Sequence, residues 1–204
     1  MDFEKIYQFK ITLEKIKPPI WRRIQVPETY TFWDLHVAIQ DAMGWRDEHL
    51  HMFEMKHPAT KIRVSIKVFP ERDIFAGKGE VFDERKEKIR DWFVNQGQSA
   101  THIYDFGDGW RHTIKLEKIL PRERGKRYPV CIAGDRACPP EDSGGVWGYM
   151  RILEILRNPD HPEYDEISEW VGEDFDPERF NPDNVKFRDP EIVWKVFTDI
   201  YKMH

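Results

Sequence analysis

The chain has 204 residues, 40% hydrophobic and 14% aromatic, with a formal net charge of -5. That length suits one large domain, the aromatic content excludes a disordered chain, and the acidic balance excludes a protein that is basic as a whole and binds nucleic acid through its net charge. Two cysteines, Cys131 and Cys138, are too few for a secreted disulfide scaffold, and the acidic start has no apolar run long enough for a signal peptide or a membrane span. A cytoplasmic protein with no membrane partner is the expectation.

Tyr7, Phe9, Ile11 and Leu13 alternate with polar residues, the period of a half-buried strand. Pro18-Pro19 interrupts the pattern, and a second strand over 20–26 ends at Pro27. Thr31 followed by Asp34 reads as a capping box opening a helix whose buried stripe is Phe32, Leu35, Ile39 and Ala42 or Met43, with Gly44 as its stop. Strands are expected over 50–55 and 62–68. The stretch 82–95 has Ile89, Trp92 and Phe93 at helical spacing and reads as an amphipathic helix closed by Gly97.

Residues 100–106 and 110–120 read as a hairpin, because Asp108-Gly109 is a strong two-residue turn signal. The strand signal then stops, and 121–144 reads as irregular. Helices are expected at about 146–157, 163–171 and 189–202. The stretch 160–183 is strongly acidic, with Arg179 its one Lys or Arg. These elements make an α+β fold: a mainly antiparallel sheet, one or two packed helices and a helical C-terminal third. The expected organisation is one domain over 1–204, with a mixed strand–helix core over 1–120 and a long loop plus helices over 121–204.

Two motifs carry the chemistry. The first is Tyr104-Asp105-Phe106-Gly107-Asp108-Gly109-Trp110-Arg111-His112. A two-residue turn puts Asp105 opposite His112, a pair in which the carboxylate would orient the imidazole for catalysis. A three-residue turn puts Asp105 opposite Arg111 instead. Without function, the same residues make a sound turn over buried Tyr104 and Trp110.

The second motif runs from Ala137 through Cys138, Pro139-Pro140, Glu141, Asp142, Ser143, Gly144-Gly145 and Trp147 to Tyr149. Asp142 or Ser143 could cap the following helix, and the two glycines admit close approach of another backbone or a ligand. Together the motifs offer a binding set of Tyr104, Asp108, Trp110, Glu141, Asp142, Gly144, Gly145, Trp147 and Tyr149. The oxygen-rich subset Asp105, Asp108, Glu141 and Asp142 suits a divalent metal as cofactor.

Weaker signals surround these. Cys131 and Cys138 could join His102 or His112 on zinc, but lone thiols at this spacing read better as buried and free. His49 and His51 would share a strand face, with His57 on that side. The basic residues Lys115, Lys118, Arg122, Arg124, Lys126 and Arg127 read as solvated, and are also the place where a nucleic-acid backbone would touch. There is no P-loop, G-x-G-x-x-G or G-x-S-x-G.

Pro18-Pro19-Ile20-Trp21-Arg22-Arg23, the 31–45 helix ending Gly44-Trp45, the hairpin motif, Tyr128-Pro129-Val130-Cys131, the 137–149 motif and Glu169-Trp170-Val171-Gly172 resemble the plasmid pRiA4b ORF-3-like family over most of the chain. The resemblance implies a compact α+β domain found with plasmids and other mobile elements. Many relatives carry a further cysteine where this chain has Ser143. A resolvase-type label used in the family would need a Ser or Tyr nucleophile among arginines, and none stands out here. Two functions follow as expectations. The first is a non-enzymatic binding or accessory module for a protein or nucleic-acid partner. The second is a metal-dependent hydrolase, phosphodiesterase or nuclease-like, with Asp105 and His112 at its centre.

Overall fold

A computed structural model describes residues 3–68, 80–172 and 174–200. Strand β1 (Lys5–Leu13) turns Tyr7, Phe9, Ile11 and Leu13 into the core, and β2 (Trp21–Pro27) pairs with it antiparallel. Helix α1 (Phe32–Met43) follows, then β3 (His51–Lys56), β4 (Arg63–Lys67), the short β5 (Val81–Asp83) and one helical turn, α2 (Ile89–Trp92). The hairpin β6 (Ser99–Tyr104) and β7 (Trp110–Pro121) comes next, then β8 (Val130–Asp135). Helices α3 (Gly145–Leu156), α4 (Tyr164–Val171) and α5 (Pro190–Ile200) complete the chain. Among the described residues the strands form one eight-stranded sheet in the order β5-β4-β3-β6-β7-β1-β2-β8, antiparallel except at β4–β5. The α+β fold with a helical C-terminal third is therefore as expected. No helix among the described residues is long and apolar enough to cross a membrane.

The sheet has unlike faces. One carries the alternating apolar residues of β1, β3, β6 and β7, and α1 packs over it. The other carries a polar ladder in which Arg23 forks onto Glu117 at 2.6 and 2.9 Å and Gln8 donates to the same carboxylate. Helix α5 lies against the far side of α1, where Trp33, Val37, Val193 and Phe197 make a small second core.

α1 begins and ends as its sequence dictates. Thr31 accepts the Asp34 N–H at 3.2 Å and Asp34 accepts the Thr31 N–H at 2.8 Å, so both halves of the capping box form. Gly44 closes the helix at φ 103.

Two expectations fail. The stretch 82–95 is not a helix: Phe82 pairs with Ile66 in the sheet, and only Ile89–Trp92 makes a helical turn. The intervening backbone serves α1, with Phe32 N–H donating to Glu87 and Trp33 N–H to Glu84. A segment committed to another helix's first turn cannot satisfy its own helical bonds. Residues 121–144 are also not wholly irregular, because β8 forms there on the outer side of β2. Its half-buried residues do not alternate cleanly and its ladder is bulged at Arg23/Ile24, so no period announces it. The last helix matches through residue 200; 201 and 202 lie outside the described residues.

Removing the Thr31 hydroxyl leaves a first-turn N–H without its acceptor. Thr31→Ala is expected to lower stability by about 1 kcal/mol, read as a lower urea midpoint at unchanged slope.

Candidate functional site

The β6–β7 register decides what the hairpin can do. Tyr104 pairs with Trp110 and His102 with His112, which leaves a five-residue loop over 105–109. Asp105 therefore faces neither His112 nor Arg111. Side-chain parity rules out the two-residue turn and its pairing with His112. Ala100, His102 and Tyr104 must share the inner face with Trp110, His112 and Ile114. A two-residue turn would put Tyr104 opposite Thr113, an outward position. Asp105 starts the loop in the left-handed region (φ 55), accepts Gly107 N–H at 2.8 Å through Oδ1, and accepts Gly109 N–H at 2.6 Å through its carbonyl.

The two motifs meet as a lock. Asp108 accepts the Gly144 N–H at 3.0 Å. Its carbonyl lies so close to Gly145 that a Cβ there would sit 2.5 Å away. Tyr104 donates its hydroxyl to Glu141 at 3.0 Å and accepts the Glu48 N–H at 3.0 Å. Glu141 also accepts the Arg46 N–H at 2.8 Å, and Trp45 donates Nε1–H to the Pro139 carbonyl at 2.9 Å. Burial first, then the Glu141 carboxylate, pushes the Tyr104 hydroxyl up; burial pushes Glu141 up.

The expected binding set thus divides. Asp108, Glu141, Gly144 and Gly145 join loop to hairpin. Tyr104, Trp110 and Tyr149 are buried, whereas Trp147 is 87% exposed. Neither Asp142 nor Ser143 caps α3: Gly144 holds that position at φ 79 with no side-chain bond. Of the expected metal set, Asp105 and Asp142 converge, and they do so on His49, with His49 Nε2 3.0 Å from Asp142 Oδ1 and 3.8 Å from Asp105 Oδ2. Asp108 and Glu141 are engaged in the lock. Cys131 and Cys138 are free thiols, and burial raises both. His57 sits in the turn beyond β3, beside Phe82 and Trp92.

His112 belongs to something the sequence reading missed, a group of buried histidines between α1 and the sheet. His36 of α1 meets His51 of β3 and His102 of β6, and His102 meets His112 of β7, all buried. Asp47 accepts His36 Nε2 at 2.8 Å, His36 Nδ1 meets His102 Nε2 at 2.9 Å, and His102 Nδ1 meets His112 Nδ1 at 3.4 Å. With neutral rings and Asp47 ionised, each N–H points toward Asp47, so His112 Nε2 is left as a bare acceptor with no hydrogen-bond partner. His51 turns instead to the fully buried Glu84, at 2.9 Å. One signal was in the sequence: His36 falls four residues after Phe32, on the buried stripe of α1.

His36, Asp47 and His51 also bring potential ligand atoms within 4.8 Å of one another. The rings of His36 and His51 are parallel within 5° at a centroid separation of 3.2 Å. Imidazole lone pairs lie in the ring plane, and no nearby point lies in both planes. One ion cannot be bound by both rings as they stand.

Burial lowers His36 to about 4 and His112 to about 3, with neighbouring histidines adding to it for His36, and lowers His102 well below its ordinary value. These folded values lie under the unfolded value of about 6.5. The unfolded chain therefore takes up protons first as pH falls, and stability is lost from about pH 6.5 down to the folded values. The slope is about 1.4 kcal/mol per pH unit for each such ring. Glu84, raised by burial, acts in the opposite sense. His112→Leu is expected to reduce the stability lost between pH 6.5 and pH 5 by about 2 kcal/mol, measured by urea unfolding at each pH.

Comparison with known proteins agrees with this architecture. The chain is 49% identical to a protein of unknown function, MM3350 from Methanosarcina mazei Go1, whose crystal structure it matches with a TM-score of 0.83 over 91% of this chain and 100% of that one. It is 36% identical over 168 residues to the uncharacterised protein y4hQ of Sinorhizobium fredii (strain NBRC 101917 / NGR234), covering 82% of this chain and 81% of that protein. The family model for plasmid pRiA4b ORF-3-like proteins matches residues 5–184, which takes in every strand, both motifs and the buried histidines. The chain belongs to the pRiA4b ORF-3-like family.

Proposed function

We propose that the chain is a non-enzymatic binding module that takes a basic segment of a partner protein. One observation carries this reading. An open cleft of about 450 Å³ lies between the end of α1, the 137–142 loop and α4, lined by Trp45, Glu141, Asp142, Trp170 and Phe175. Trp170 is 48% exposed, and α4 has no buried residue while presenting Asp165, Glu166 and Glu169. An exposed indole beside carboxylates suits Lys or Arg, which gains both cation–π and charge-assisted contacts. The family description names a plasmid, so a partner encoded by a plasmid or other mobile element is the natural candidate. The expected aromatic contacts change accordingly. Buried Trp110 and Tyr149 give way to Trp170, and Trp147 extends the exposed surface along α3.

A divalent-metal hydrolase is the second reading. The meeting of His49, Asp105 and Asp142 favours it. The intended general acid–base does not: His112 is fully buried, contacts His102 and is separated from Asp105 by the register. The binding reading therefore stands first.

The test is fluorescence anisotropy with labelled arginine-rich, acidic and neutral peptides. The arginine-rich peptide is expected to bind, more weakly as salt rises. Trp170→Ala is expected to cost about 1–2 kcal/mol of affinity, roughly five- to thirtyfold. Equal binding of all three peptides, or full affinity in Trp170→Ala, would sink the proposal.

A further inference from the structure

Three separate stretches of chain bring His49, Asp105 and Asp142 together. His49 lies just before β3, Asp105 opens the hairpin loop, and Asp142 sits in the turn that leads into α3. Their ligand atoms all lie within 4.8 Å of one another. Donors bonded to one ion at about 2.1 Å sit about 3.0–4.2 Å apart, so the 3.0 and 3.8 Å separations at His49 Nε2 are those of a shared ion.

Hydrogen bonding does not account for the arrangement. His49 Nε2 is a buried atom with no hydrogen-bond partner, although two carboxylates face it. The contact to Asp142 is close but lacks hydrogen-bond geometry, and that to Asp105 is too long. Asp105 is 8% exposed, and with Oδ1 held by Gly107 N–H its Oδ2 is the oxygen turned toward His49. A buried imidazole nitrogen left without a hydrogen bond, with two carboxylates turned toward it, is a group that a third species satisfies.

We propose that His49, Asp105 and Asp142 bind one divalent first-row transition-metal ion, of the zinc or manganese type. Two carboxylates balance a charge of +2, and one imidazole favours such ions over calcium or magnesium. Asp142 is 65% exposed, so the ion faces solvent and keeps positions for water or a partner's carboxylate. Bound there, it fastens the hairpin loop and the 137–144 segment to the entry of β3. This inference shares Asp142 with the basic-partner cleft but does not depend on that reading, because Trp170→Ala leaves all three ion ligands in place and His49→Gln leaves the cleft lining in place, so the two tests fail separately.

The competing account is a plain ion pair of a charged His49 with its two acids, which gives no response to metal. EDTA-stripped protein would be titrated with Mn²⁺ while the electron paramagnetic resonance signal of the free ion is followed. Thermal unfolding would then be recorded with Mn²⁺, Zn²⁺, Mg²⁺ and Ca²⁺. The expected result is one Mn²⁺ per chain, displaced by Zn²⁺, with a melting temperature about 5–10 °C higher at a hundredfold excess over Kd. Asp142→Asn and His49→Gln are expected to abolish both effects. Asp105→Asn keeps an acceptor for Gly107 N–H and tolerates the left-handed backbone, so it supplies a folded third variant that should also lose the ion. Absence of Mn²⁺ uptake by the parent protein, or uptake unchanged in the three variants, would overturn the proposal.

Discussion

Backbone that lies in neither strand nor helix must still satisfy its N–H and C=O groups, and in residues 136–144 other elements do much of this work. Asp108 of the hairpin receives Gly144 N–H, and Trp45 at the end of α1 donates to Pro139. Glu141 returns the favour by accepting Tyr104 O–H and Arg46 N–H. This exchange fixes where α3 starts, brings Asp142 to His49, and forms one wall of the cleft beside α4. Gly145 is required by the same contact. With φ 66 and Asp108 O where its Cβ would be, no other residue fits without displacing the hairpin.

Beneath the lock, the core is polar where a core of this size would ordinarily be apolar. Asp47, His36, His102 and His112 form a line of contacts, and His51 with Glu84 stacks alongside. Each ring excludes water from the next, and burial holds His36, His102 and His112 neutral. Such a network costs stability relative to packed hydrocarbon and specifies one arrangement of α1 on β3, β6 and β7, because a shifted helix would strand several imidazole nitrogens at once.

Local patterns were legible in the sequence and long-range pairings were not. β1 has an unbroken period of two, and α1 carries both halves of its capping box and its glycine stop, so both could be read directly. The motifs that form the lock were visible as dense runs of acids, aromatics and glycines, but their roles were not. Asp108-Gly109 suggests Asp105 opposite His112, yet that register would take Tyr104 and Trp110 off their shared inner face. β8 exists because β2 offers an unpaired edge, which no feature of residues 130–135 announces. His49 stood beside His51 as a strand-face residue. Only its position before the strand separates it from the core and turns it to the two aspartates. The family match covers the whole lock and leaves activity open, since both relatives described above are themselves of unknown function.

The central claim is that the 137–145 segment is a fixed part of the folded unit rather than a loop laid on its surface. Native-state hydrogen exchange at Gly144 and Arg46 tests it most directly, because each N–H is near the surface and is held only by a carboxylate across the lock. The account expects both amides to exchange with opening free energies close to those of β6 and β7. Rapid exchange at Gly144 and Arg46 while the strand amides stay protected would contradict it.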